Sequence, residues 1–183
     1  MNYIKISAFL VLFLSIFLFN TNNSEALREL NVSTPELARS SADIVVAKCI
    51  STEARQEKEN GLIFTYIKFS IDESLKGKYG EELVLRIVGG TVGDKTVSSP
   101  FLPKFELNEE VVLFLGPRNS KGFPMIKSIN NGIYRIKNTE NGNKVVTTPV
   151  KGLTLSDSKT NQRINGKNEL LLDDFIYSIN EIL

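Results

Sequence analysis

The sequence predicts a mainly β protein, a small OB-like β-barrel of five or six strands with a short N-terminal helix and an amphipathic C-terminal helix. Three observations predict it. The stretch ADIVVAKCISTEARQEKENGLIFTYIKFSIDESLKG, residues 42–77, reads as two long strands folded back on each other at Asn60-Gly61, a dipeptide that accepts the positive φ of a tight hairpin turn. Val111-Val112-Leu113-Phe114-Leu115 is apolar at every position, the pattern of a strand covered on both faces. Short alternating runs separated by Asn- and Gly-containing turns then continue through the second half of the chain.

At the start of the chain, Lys5 precedes an apolar run over 6–19, and Ser24-Glu25-Ala26 supplies the small residues of a cleavage site. This is the signature of a secretory signal peptide over 1–26. The run is shorter than the ~20 apolar residues of a spanning helix; an uncleaved anchor is the alternative. The expected mature protein, 27–183, is one domain, secreted or periplasmic, with no stable membrane anchor after cleavage.

Ser33-Thr34-Pro35-Glu36 marks a helix start: a hydroxyl cap, a proline in the first turn and an acidic residue at the positive helix end. That helix ends near Ser41 and feeds the first strand, 44–54. The second strand, 62–74, places Ile63, Thr65, Ile67, Phe69 and Ile71 on one face. Phe64 and Tyr66 lie on the other face, where packing under the C-terminal helix accounts for them. Leu83, Leu85 and Ile87 alternate as a third strand. Residues 89–106 form one long irregular connection. After the 111–115 strand come shorter ones near 124–129, 132–137 and 144–150. Residues 154–167 are polar and read as a linker. Asn168 then caps a helix over 168–183 whose stripe of Leu172, Phe175, Ile176 and Ile179 must be buried. The outside of the sheet is the simplest cover, and a partner or a membrane surface the alternative.

Composition narrows function. With 22 Lys and Arg against 21 Asp and Glu, the net charge is +1, which gives no electrostatic footprint for nucleic acid. There is no histidine and one cysteine, Cys49. A His-based zinc site, a Ser-His-Asp triad and a Cys-His pair are therefore all impossible. Cys49 shares a strand face with Val45 and Ala47 and reads as a buried, inert thiol. Adjacent carboxylates occur at Asp72-Glu73, Glu81-Glu82, Glu109-Glu110 and Asp173-Asp174, but neighbours on a strand point to opposite faces, so three of these pairs make poor catalytic dyads, and solvated turn or surface charge accounts for them. Gly89-Gly90-Thr91-Val92-Gly93 lacks the Gly-Lys-Ser/Thr of a phosphate loop. No cofactor is implied.

Ala42-Asp43-Ile44-Val45-Val46, the long hairpin carrying Tyr66, Leu75-Lys76-Gly77, and Glu109 to Leu115 after a long connector together resemble netrin-like modules. These are OB-fold domains that include the tissue inhibitors of metalloproteinases. Gly89-Gly90-Thr91 with Pro103, Phe105 and the run Asn108 to Leu115 resembles, more closely, bacterial secreted proteins of unknown function. The resemblance spans about 36–137. It implies a secreted, non-enzymatic protein-binding module, with an extracytoplasmic protease among its candidate partners. Metalloproteinase inhibitors of that family chelate zinc through an N-terminal Cys-x-Cys segment, and Leu27-Arg28-Glu29 offers no such cysteine. A hydrolase of the cell envelope using carboxylates alone is the alternative function.

The candidate protein-binding residues are Gly89, Gly90, Thr91, Phe101 and Leu102. Long connections inside compact domains are commonly functional, and this one is too apolar for a merely solvated loop. Its glycines permit sharp turns and close approach, and Pro100 and Pro103 stiffen its second half. Phe105, next to the following strand, is expected to plug the barrel end. Phe101 and Leu102 read equally as plug or as contact surface. N-terminal sequencing of the exported protein should begin at Leu27; a chain beginning at Met1 would contradict the leader assignment.

Overall fold

The computed structural model describes residues 33–99, 101–129, 131–147 and 169–183. The leader over 1–26, the linker over 154–167, Asn168 as a helix cap and the stiffening attributed to Pro100 lie outside the described residues.

Helix α1, Thr34–Ser40, starts where the sequence predicts, with the Ser33 hydroxyl accepting a hydrogen bond from the Glu36 amide at 3.4 Å. Its last carbonyls are taken up from outside the helix. The Lys76 ammonium donates to the Ala38 and Arg39 oxygens at 2.8 and 2.9 Å, a cation placed at the negative helix end. Strands β1, Asp43–Gln56, and β2, Ile63–Lys76, form the long hairpin. The Glu57 amide closes its turn on the Leu62 oxygen at 2.8 Å, Gly61 takes φ 70°, and the Leu62 amide donates to the Asn60 side chain at 2.9 Å.

The remaining strands are β3, Glu82–Val88; β4, Gly90–Val92; β5, Lys95–Val97; β6, Glu110–Arg118; β7, Pro124–Ile126; β8, Ile133–Asn138; β9, Lys144–Thr147; and β10, Glu169–Leu171. Helix α2, Leu172–Ile182, closes the chain. Among the described residues, an eight-stranded antiparallel sheet runs in the order β10-β9-β8-β6-β1-β2-β3, with β7 also paired to β6. This hydrogen-bonded path is open, with β3 and β10 at its ends. Short strands in the tail and after β6 make it wider than the five or six strands expected.

Cores lie on both faces of the sheet. On one, Ile44, Val46, Val112, Phe114, Tyr134 and Ile136 pack against Leu37 and Ala38 of α1 and Leu172, Phe175 and Ile179 of α2. On the other, Val45, Ala47, Cys49, Ile67, Phe69, Leu83, Leu85, Val111, Leu113 and Leu115 pack together around Phe105. The expected burial of the α2 stripe against the sheet is thus met. Phe175 stacks at 4.6 Å from the Tyr134 ring, and the Tyr134 hydroxyl lies 2.9 Å from that of Thr34, joining both helices through one side chain.

Three expectations need correction. The connection over 89–106 is not irregular throughout, because β4 and β5 form a separate two-stranded sheet inside it. Thr91, Val92, Thr96 and Val97 are β-branched residues flanking the Gly93-Asp94 turn, a hairpin pattern. The C-terminal helix starts at Leu172, not 168: Leu170 pairs with Val146, so the backbone of 169–171 is committed to the sheet. Phe64 and Tyr66 do not pack under that helix. The Phe64 ring lies 3.3 Å from the Arg86 guanidinium carbon, and Tyr66 meets Phe123 edge-on at 5.7 Å, because their end of β2 lies at the hairpin tip, away from the helices.

Truncating a buried aromatic costs about 3–5 kcal/mol. Phe175→Ala should therefore lower the denaturation midpoint strongly, as measured by chemical unfolding; an unchanged midpoint would mean that α2 contributes nothing to the fold.

Candidate functional site

The connection from β3 to β6 positions the candidate residues. After β3, the Gly89 amide donates to the Ile63 oxygen at 2.7 Å, and the Thr65 hydroxyl donates to the Gly89 oxygen at 2.7 Å. Gly90 follows at φ 127°, with its α-carbon so close to β1 and β2 that a Cβ there would stand 2.7 Å from both the Ala54 Cβ and the Thr65 Oγ1. No other residue fits this position. The two glycines thereby fold the β4-β5 hairpin across the tips of β1 and β2, and the Thr91 and Thr96 hydroxyls bridge it at 3.0 Å.

Beneath the hairpin lies a cavity of about 350 Å³. Its floor is the open end of the inner core: Ile67, Ile87 and Phe105. Its walls include Val88, Gly89, Gly90, Thr91, Val97, Leu102 and Pro103. A smaller groove of about 210 Å³ lies between β3 and β7 and shares Ile87, Val88, Leu102 and Pro103 with it.

The structure thus brings Gly89, Gly90, Thr91 and Leu102 together around one cavity. Leu102 is half-buried in the wall between the two hollows. Phe101 stands apart from the lining and is 80% exposed. Phe105 is buried, as expected of it, edge-on to Phe69 at 5.1 Å, with the Arg135 guanidinium 5.7 Å from its ring. Arg135 also donates to the Lys104 oxygen at 2.9 Å and pairs with Glu109, which pins the end of the connection to β8.

The acidic pairs are dispersed rather than convergent. Glu109 pairs with Arg135, Glu110 with Lys144 at 2.5 Å, and Glu82 with Lys68 at 2.7 Å. Cys49 is fully buried, and burial pushes its thiol pKa up, partly offset by its contact with the Ser51 oxygen. Among the described residues, no group of His, Cys, Asp and Glu could hold a metal ion.

Sequence reasoning missed one polar cluster. Glu57, with a side chain only 12% exposed, receives the Tyr66 hydroxyl at 2.9 Å, Arg86 Nε at 2.8 Å and Lys121 Nζ at 3.1 Å. Lys121 also reaches Glu59 at 2.9 Å. The cluster ties the β1-β2 turn to β3 and to the loop between β6 and β7. No local spacing announces it, since its members are 9, 29 and 64 residues from Glu57. Burial works against the charged Glu57, but the hydrogen bonds from Tyr66, Arg86 and Lys121 outweigh it and lower its pKa to about 2.

No family model, curated protein or solved structure matches the chain.

A carboxylate held below its ordinary 4.5 stabilises the fold above that value and loses the contribution as the pH falls towards about 2. Glu57→Gln should therefore flatten the pH dependence of stability across that window, measured by urea unfolding at a series of pH values. An unchanged profile would show that the cluster is not coupled to folding.

Proposed function

We propose that this chain is an exported, non-enzymatic protein-binding module of OB type that contacts its partner through the apolar surface at the β3–β6 connection. The observation that carries this reading is the exposure of Phe101 beside the half-buried Leu102, while Phe105 four residues later is sunk into the core. Exposed Val88, Val97, Met125 and Ile129 lie around the same two hollows. Single exposed apolar residues are ordinary, but several gathered around two adjoining hollows favour a contact surface.

The strand order β3-β2-β1-β6-β8 supports the OB assignment, with β7 lying beside β3 across the groove and a shared apolar interior around Phe105. A netrin-like relationship agrees with that order. It also agrees with Asn108 at φ 67°, a backbone state that glycine and asparagine accept most readily. An extracytoplasmic protease remains the partner class we favour, engaged by this surface rather than by zinc chelation at the N-terminus. The carboxylate-hydrolase alternative draws no support from the acidic pairs, since Glu82, Glu109 and Glu110 are each neutralised by a separate cation.

The test is the double variant Phe101→Ala, Leu102→Ala, used to capture partners from extracytoplasmic material. Wild-type protein should retain a partner and the variant should lose it. Most of the Phe101 ring is already in water, so the Phe101 change should shift stability by no more than about 0.5 kcal/mol. Retained capture by the double variant would remove this surface from the account.

A further inference from the structure

We propose that the cavity under the β4-β5 hairpin is a binding site for a small amphiphile with an apolar tail and an anionic head, a medium-chain carboxylate being the simplest member. This site does not depend on a protein partner. It is a concave hollow of about 350 Å³ at the mouth of a β-lined core, a size and place typical of small-ligand sites. At the ~30 Å³ that a water-sized group occupies, it holds about a dozen heavy atoms.

The lining is divided by polarity. Ile67, Ile87 and Phe105 make an apolar floor, and the first two belong to or abut the inner core, so a tail placed there would continue that core. The lining also includes the exposed residues Thr52, Ser98 and Lys104. Of the other hydroxyls of the wall, Thr65 donates to the Gly89 oxygen, Thr91 and Thr96 bond each other, and Ser99 accepts from the Phe101 amide. The Thr52 and Ser98 side chains and the Lys104 ammonium have no such partner among the described residues. Two hydroxyl groups and a cation around an apolar well match a carboxylate head on an alkyl tail, because the head keeps charge-assisted hydrogen bonds while the tail leaves water. A cationic head would meet Lys104 unfavourably, and a neutral one would leave it unused.

The probe is octanoate, with octanol and octylamine as matched tails, titrated into the folded chain and followed by amide chemical shifts and calorimetry. Octanoate is expected to saturate with a dissociation constant below about 1 mM, shifting the amides of Gly89, Gly90, Thr91 and Leu102. Octanol should bind about tenfold more weakly, and octylamine more weakly still. Lys104→Gln should cut octanoate affinity about tenfold and leave octanol unchanged. Leu102→Trp, which narrows the wall without touching the floor, should weaken both. Absence of saturation, equal affinity for the three heads, or shifts confined to α2 would overturn the proposal. Loss of octanoate binding with protein capture intact would refute this site alone, and the converse would refute only the contact surface.

Discussion

The structure depends on two adjacent strands that must be buried on both faces. Along β1, Ile44 and Val46 point to the helix-side core, and Val45, Ala47 and Cys49 to the other. Along β6, Val112 and Phe114 go one way, and Val111, Leu113 and Leu115 the other. The two strands are paired in register, Val45 opposite Leu113 and Val46 opposite Val112, so each core receives a matched row from both. At about 25 cal/mol per Å² of apolar area removed from water, neither face of this pair can be left uncovered. Helices α1 and α2 are needed on one side, and a closing element is needed on the other.

That closing element is the β3–β6 connection. Its last part drives Phe105 into the inner core, held by Phe69 and by Arg135. Its first part is folded over the β1-β2 tips because Gly90 approaches β1 and β2, and Gly89 approaches the Val97 oxygen of β5, more closely than any side chain allows. Between these two anchors the chain bows outward, leaving a hollow beneath it and Phe101 on its surface. The irregularity of β1 around Ile50 contributes to this shape. Pairing with β2 shifts there, from Cys49 opposite Phe69 to Ser51 opposite Lys68, so the inward set passes from Cys49 to Thr52 and continues the wall of the cavity. The Glu57 cluster fixes the hairpin tip against β3 and the loop after β6.

Much of the fold was legible in the residues. The cap at Ser33, the turn at Asn60-Gly61, the two-faced 111–115 strand, the burial of Phe105 and the buried α2 stripe all follow from local chemistry with short-range consequences. What was not legible depended on distant partners. Residues 169–171 continue the helical pattern of α2, yet their backbone is taken by β9. Phe64 and Tyr66 look like core residues on an alternating strand, but their neighbours Arg86 and Phe123 come from elsewhere in the chain. Of the candidate site, the sequence marked the right segment and four of the residues that line the cavity. It could not mark the cavity itself, because Ile67 and Ile87 of its floor come from β2 and β3, nor decide between plug and contact surface for Phe101 and Leu102.

The central claim is that the β1-β6 pair is the rigid frame and the β3–β6 connection an element laid over it. Native-state amide hydrogen exchange tests this most directly, because it resolves global from local opening. The amides of 45–49 and 111–115 should exchange only through global unfolding, at the full free energy of the protein, while those of 90–102 should exchange through a local opening of smaller cost. Equal protection of the connection and the β1-β6 pair, or faster exchange in that pair, would contradict the account.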